Sequence, residues 1–343
     1  MTTETAATPG AGRPGYRGDS WQLTDLLSQA PGFHALSGAL CELVDEGVPV
    51  SVLTADLKYS NGLVKFEERH PGLFHQFGIS EQNMVSAAAG MATVGRHVYA
   101  STFASFLALL CAEQIRTDIA YTKLPVRLVG HHTGMTLGFY GTSHHATEDL
   151  AIMRSMANMM VLAPADPGQL RAMVKALATV DSPAYLRIGR GRDSQVYTDA
   201  ELATFTLGRA TQIAAPADLT VIATGSMVAP AKVAVERLAA QGVQIGLLDM
   251  HTIKPLDCEA VRAVAARSRT ILTIEEHNVL GGLGSAVAEV VAEVPRSARV
   301  VRHGLEDQYA PVGPPTHLYK HFGLDAEGIE ARIRRELANG ADD

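Results

Sequence analysis

Between Leu219 and Ala292 short apolar runs alternate with helical repeats, and this alternation restricts the chain more than any other feature. Leu219–Thr224 reads as a strand and Val228–Ala240 as a helix; Val243–Leu248 and Glu259–Ala266 repeat the pair, and Thr270–Ile274 with Gly284–Ala292 repeats it again. Strands separated by helices pair in parallel, because each helix carries the chain back across the sheet in a right-handed crossover. The N-terminal part carries the same pattern less regularly. Trp21–Glu46 has Leu36, Leu40, Leu43 and Val44 on one helical side, and Val48–Leu53, His97–Ala100 and Val126–Gly130 read as buried strands. The expectation is an α/β protein of two domains, each a mostly parallel sheet with helices on both faces. A length of 343 residues fits two such units. Residues 21–195 form the first domain, the polar stretch 196–217 a linker, and 218–343 the second domain. Residues 1–20, rich in Thr, Ala, Pro and Gly, read as a mobile tail.

Composition narrows the partners. A net charge of −7 without a basic run argues against nucleic acid or an anionic membrane surface. Cys41, Cys111 and Cys258 are scattered and form no CxxC pair, consistent with reduced thiols in a cytoplasmic protein. Apolar runs are interrupted before they reach bilayer length, and residues 1–20 lack the apolar centre of a signal peptide. Gly281-Gly-Leu-Gly284 does not have the spacing of a dinucleotide fingerprint.

The stretch with most chemical content is Phe77-Gly-Ile-Ser-Glu-Gln-Asn-Met84. Gly78 turns the chain, Ser80 is placed to cap a helix, and Glu81 falls in its first turn, where the helix dipole favours an acid. Ala87, Ala88, Ala89 and Gly90 predict a helix packed closely on every side. That dipole alone would account for Glu81. About twenty residues on, Phe103, Phe106 and Leu110 recur at helical spacing, which puts Phe103 and Phe106 on one helix face. Such a pair usually belongs to a core. Asp56 and Ser60 follow the Val48–Leu53 strand, where open parallel sheets place ligands. His131, His132, His144 and His145 crowd fifteen residues, yet adjacent histidines diverge and no carboxylate or cysteine has ligand spacing, so no metal is expected in this chain.

Taken together, GISEQN, the small-residue helix and Ser101-Thr-Phe-Ala-Ser-Phe106 resemble the pyrimidine-binding domain of transketolases. Pro183-Ala-Tyr-Leu-Arg-Ile-Gly-Arg-Gly191 is similar to that domain's closing segment, and Glu148, Asp149 and Arg154 also fit its pattern. The resemblance implies thiamine diphosphate as cofactor. Glu81 would share a proton with N1′ of the aminopyrimidine, favouring the imino tautomer, and Phe103 and Phe106 would pack on the ring. It further implies Asp56 beside the cofactor, His144 at the substrate's hydroxyls, and Ser60, His132 and Arg190 at its phosphate, with Arg187 a second candidate. Two positions depart. His34 stands where the family has an arginine, and Tyr140 where ordinary members have an aspartate that reads a sugar hydroxyl. The aromatic replacement points to a non-standard or specialised-metabolism substrate.

No GDG…N motif for the Mg²⁺-diphosphate end is found. The chain therefore resembles the β-type, C-terminal half of a split transketolase, inactive alone and completed as α2β2 by an N-terminal subunit that binds diphosphate and Mg²⁺. Its second domain, including Glu275–Asn278, would serve assembly and carry no catalytic residue. A 2-oxoacid dehydrogenase β subunit shares this plan, but the His144 and Arg190 segments favour transketolase. A 1-deoxyxylulose-phosphate synthase normally holds all domains in one chain. A catalytically silent partner subunit sits poorly with Glu81, Phe103 and Phe106 all present. A standalone flavodoxin-like binding module would explain the C-terminal part alone.

Overall fold

The computed structural model describes residues 32–191, 193–295 and 297–339; the expected tail and the start of the Trp21 helical pattern lie outside them. Two sheets carry the structure. The first has seven strands in the order β10-β5-β6-β4-β3-β1-β2. Its central members are β1 (Val50–Thr54), β3 (His97–Phe103), β4 (Arg127–His131) and β6 (Ala184–Arg187), all parallel. β2 (Phe74–Gln76) and β5 (Met160–Leu162) extend it in parallel, and β10 (Thr252–Lys254) closes its far edge antiparallel to β5. The second sheet runs β12-β11-β8-β9-β7, with β8 (Leu219–Ala223), β9 (Gly246–Asp249), β11 (Thr270–Asn278) and β12 (Arg299–Leu305) parallel and β7 (Thr211–Ala214) antiparallel at one edge. The expected α/β class and parallel sheets are both present.

Every residue of β1, β4, β6, β8 and β9 is buried, the pattern of strands covered on both faces. The Ala35–Asp45 helix buries Leu36, Leu40 and Leu43 in the same core as Leu170, Met173, Val174 and Leu177 of the Pro167–Leu177 helix. That second helix starts sharply, because the Asp166 side chain accepts from the Gln169 N–H and proline occupies its first turn.

Five local expectations need correction. The Glu81–Thr93 helix is not buried on every side: Gln82, Asn83, Ser86, Gly90 and Thr93 are exposed, while Met84, Val85, Ala88, Ala89 and Ala92 face the core. Ser80 sits at its N-cap without a side-chain capping bond; its backbone alone is engaged, the N–H donating to the Gly78 carbonyl at 2.8 Å and the carbonyl accepting from the Met84 N–H at 3.0 Å. Phe103 is the last residue of β3, not part of a helix, and a π-helix begins at Phe106. A three-residue spacing brought the rings together across a strand-to-helix corner as well as a helix would have. β11 does not end at Ile274 but continues to Asn278, burying Glu275, Glu276 and His277 inside the strand. The stretch read as a polar linker contains the Asp199–Leu202 helix and β7, whose residues are all half-buried or exposed and so give no apolar signal.

The two halves share more than a linker. β10 comes from the C-terminal half but joins the N-terminal sheet. Asp249, at the end of β9, accepts from Gln169 Nε2 and from the Tyr197 hydroxyl, each at 2.7 Å. Arg187, at the end of β6, is buried and bonds Asp149 at 2.9 Å, the Ala146 carbonyl at 3.1 Å and the Glu276 carbonyl at 2.8 Å. Tyr185 adds a 2.7 Å bond to the same Asp149 carboxylate. Removing one partner of a buried ion pair leaves the other charge stranded. Arg187→Ala is therefore expected to destabilise the fold by about 3–5 kcal/mol, measured by urea unfolding; a loss below about 1 kcal/mol, the range of an exposed pair, would contradict this account.

Candidate active site

Parallel strands end on one side of their sheet, so the residues just past β1, β3, β4 and β6 converge on one edge. Asp56 follows β1, Phe103 closes β3, His132 follows β4 and Arg190 follows β6. Asp56 and His132 both adopt left-handed backbone angles, φ 58° and 59°, which cost strain in non-glycine residues and cluster at functional sites.

Phe103 is the hub of the aromatic group at this edge. Its ring centroid lies 5.5 Å from Phe106, 4.8 Å from His132 and 5.6 Å from His144. His144 also touches Phe106 at 5.3 Å and Tyr140 at 4.8 Å, and its Nδ1 is 2.8 Å from the Ser143 hydroxyl. Five sequence candidates (Phe103, Phe106, His132, Tyr140 and His144) thus form one contiguous surface. Tyr140 is about half exposed, at the open side of the group.

Glu81 approaches from the Glu81–Thr93 helix. Gln82 Nε2 donates to the Leu110 carbonyl at 2.9 Å, tying the start of that helix to the end of the π-helix that carries Phe106. Glu81 is only 8% exposed, and its carboxylate has no side-chain hydrogen bond or ion pair among the described residues. A largely buried carboxylate in that condition is open to an external partner. Thr102 and Ser105, which flank Phe103, likewise have buried hydroxyls without partners among the described residues.

Burial sets the histidine charges. It lowers the pKa of His144, and it lowers His131 to about 3 with help from the nearby Arg190 charge. His131 Nδ1 lies 2.7 Å from His132 Nδ1, so the neutral His131 ring can share one hydrogen bond with its neighbour. Burial, reinforced by the Glu81 charge, raises Cys111 to about 12, which leaves that thiol protonated and inert.

Other candidates lie further out. Ser60 sits half-buried in the turn after β1, and His34 half-buried before the Ala35–Asp45 helix. The two segments pack on each other, since Ser37 Oγ donates to the Gly62 carbonyl. Arg190 is buried and lines a cavity of about 470 Å³ with Thr136, Ser226 and Tyr319, the last two from the C-terminal half. Arg187 gives its Nε to Asp149 and its Nη2 to the Ala146 and Glu276 carbonyls, so most of its guanidinium is engaged in the fold. Sequence reading passed over Glu276, which accepts from the Met135 N–H at 2.6 Å at the base of the histidine loop.

Residues 31–192 match the family model of the transketolase pyrimidine-binding domain, and residues 208–329 that of the transketolase C-terminal domain. Over 299 residues the chain is 38% identical to a putative transketolase C-terminal section of Methanocaldococcus jannaschii, covering 87% of this chain and 93% of that one. The chain belongs to the transketolase family. It is also 35% identical over 295 residues to one subunit of an apulose-4-phosphate transketolase of Phocaeicola vulgatus, covering 86% and 94%. Among solved structures it resembles a split gene transketolase described as an inactive beta4 tetramer, with a TM-score of 0.80, 39% identity and 89% and 97% coverage. A 1-deoxy-D-xylulose-5-phosphate synthase of Geobacter sulfurreducens is 37% identical, but the chain spans only 47% of it. In length as well as sequence, the transketolase match is to separate C-terminal sections and subunits.

Because burial disfavours the imidazolium form, His144 is expected to titrate below the ordinary imidazole midpoint of about 6.5. Its proton resonances, followed against pH and assigned with His144→Gln, check this; a midpoint above 6.5 would contradict the enclosure by Phe103, Phe106 and Tyr140.

Proposed function

We propose that this chain is the C-terminal subunit of a split, thiamine-diphosphate-dependent transketolase that moves a two-carbon ketol unit from a ketose to an aldehyde. Residues 21–195 serve as the pyrimidine-binding domain and 218–343 as the C-terminal domain, joined through 196–217. The observation that carries the reading is a buried, partnerless Glu81 on a helix tied to the element that holds the Phe103–Phe106–His144 group. These residues fit the pyrimidine end of the cofactor, a flat aromatic ring with a basic nitrogen at its edge. Bound there, thiamine diphosphate supplies the electron sink for carbon–carbon cleavage.

The chain's own residues do the rest. Glu81 holds a proton at the ring nitrogen N1′. Phe103 and Phe106 pack on the ring and exclude water. Asp56 orients the cofactor from the end of β1. His144, kept neutral by its burial, can donate from one nitrogen and accept at the other, which suits proton movement at a substrate hydroxyl. Ser60, His132 and Arg190, with His34 at the rim, bind a substrate phosphate. Mg²⁺ and the diphosphate belong to an N-terminal partner subunit in an α2β2 complex; relatives of matching length, described as a C-terminal section and as a transketolase subunit, support that division. The complex works in the cytoplasm.

Two outcomes are expected. In the complex with its N-terminal partner, Glu81→Ala lowers turnover by roughly 10²–10⁴-fold, read as two-carbon transfer by mass spectrometry; near-normal turnover would end the assignment. Tyr140 replaces an acceptor carboxylate with an apolar ring, so ordinary xylulose 5-phosphate and ribose 5-phosphate are poor substrates. Tyr140→Asp should raise kcat/KM for them by about tenfold, the worth of one hydrogen bond. Efficient use of both sugars by the unmodified complex would overturn the specialised-substrate reading.

A further inference from the structure

We infer that Glu276, in the C-terminal half, is a positioning residue that sets the loop presenting Tyr140 and His144. The inference rests on the reading of that loop as the substrate loop. Glu276 lies within β11 and is 1% exposed. Its carboxylate collects donors from three separate segments. Oε1 accepts from the Met135 N–H at 2.6 Å and from the Tyr319 hydroxyl at 2.6 Å, and Oε2 from the Ser226 hydroxyl at 2.9 Å. Tyr319 and Ser226 belong to the C-terminal half, whereas Met135 stands 141 residues earlier in sequence. The carboxylate is thus fixed from behind and aimed at the loop.

Both stems of the loop close on this one residue. Gly134 and Ala146 pair across the base through reciprocal backbone bonds of 3.0 and 2.9 Å. On the Gly134 side the next N–H, that of Met135, ends on the carboxylate. On the Ala146 side Arg187 bonds the Ala146 carbonyl and the Glu276 carbonyl together, at 3.1 and 2.8 Å. Close approach depends on glycine. A Cβ at Gly134 would fall 2.0 Å from Glu276 Cδ, and the φ of +56° there suits glycine best. The loop is also held part-way along, where the Gly313 N–H donates to the Gly138 carbonyl at 3.0 Å.

A residue that merely joined the two halves would tolerate a shift of its carboxylate while the halves stayed packed. A positioning residue would not, because the reach to Met135 sets where the loop begins. Glu276→Asp keeps the charge and withdraws it by one methylene. Glu276→Gln keeps the reach, and its amide can still accept from Met135 and Tyr319 while donating to Ser226.

The experiment uses the full chain assembled with its N-terminal partner, Mg²⁺ and thiamine diphosphate, and compares hydrogen exchange in peptides from 132–146 with the kinetics of D-xylulose 5-phosphate, a slow donor for the unaltered complex whose KM is read from initial rates at high enzyme concentration. For Glu276→Asp, exchange in the loop should rise by about tenfold or more while the Val228–Ala239 helix stays protected. KM should rise by a similar factor, with cofactor binding retained. Glu276→Gln should match the unaltered chain in both. Gly134→Ala, which pushes the carboxylate back from the loop side, should repeat the Asp result if the Asp variant fails to fold. Unchanged loop exchange in either disruptive variant overturns the inference, as does equal loosening of the Val228–Ala239 helix. Loop loosening with unchanged donor kinetics supports the positioning role and instead sinks the substrate-loop reading.

Discussion

The clasp around Arg187 is the constraint on which the rest of the structure depends. A guanidinium at the end of a central strand could not be left dry without matched acceptors, and its neighbours come from both halves of the chain. Asp149 opens the helix after the histidine loop, Ala146 is that loop's last stem, and Glu276 belongs to the other sheet. The planar fork of arginine serves this geometry, because two of its nitrogens reach two directions at once. Lysine could offer a charge there but not the fork. The position of one strand end thereby fixes the histidine loop and the seating of the C-terminal half together.

How much of this was legible in the sequence follows from burial. β1, β4, β8 and β9 are covered on both faces, so their apolar runs announce them. β2, β7 and β10 are three or four residues long, lie at or beside sheet edges, and carry polar side chains; local composition could not separate them from loops. Phe103 and Phe106 show the limit of periodicity. A spacing of three satisfies a helix, but it also spans a strand end and the first turn beyond it, and β3 uses the second solution because Ser101 and Thr102 continue the strand beside β4.

The site residues were legible for a different reason. Glu81, Phe103, Phe106, His132 and His144 sit in short stretches whose combination has few uses, and the parallel topology then gathers those stretches at one edge. Their electrostatic condition was not legible. That His131 is held neutral depends on burial and on Arg190, fifty-nine residues away in sequence. Glu276 stood in a stretch, Glu275–Asn278, that matched the second domain but gave no sign of a role at the histidine loop. An acid inside an apolar strand looks like the end of that strand, and its three donors are visible only when both halves are folded.

That last point bears on how the two halves divide their work. A C-terminal domain that served assembly alone would meet the site domain through a surface that could be exchanged for another of the same shape. Here the contact is made through the interior. β10 completes the N-terminal sheet, Asp249 receives Gln169 and Tyr197 in a buried network, and Glu276 reaches the loop base through the space that Gly134 leaves open. Buried polar contacts of this kind tolerate little displacement, since a half-satisfied network costs more than none. A change in the C-terminal half that moves β11 is therefore transmitted to the histidine loop, and folding the second sheet correctly is a condition for shaping the site in the first.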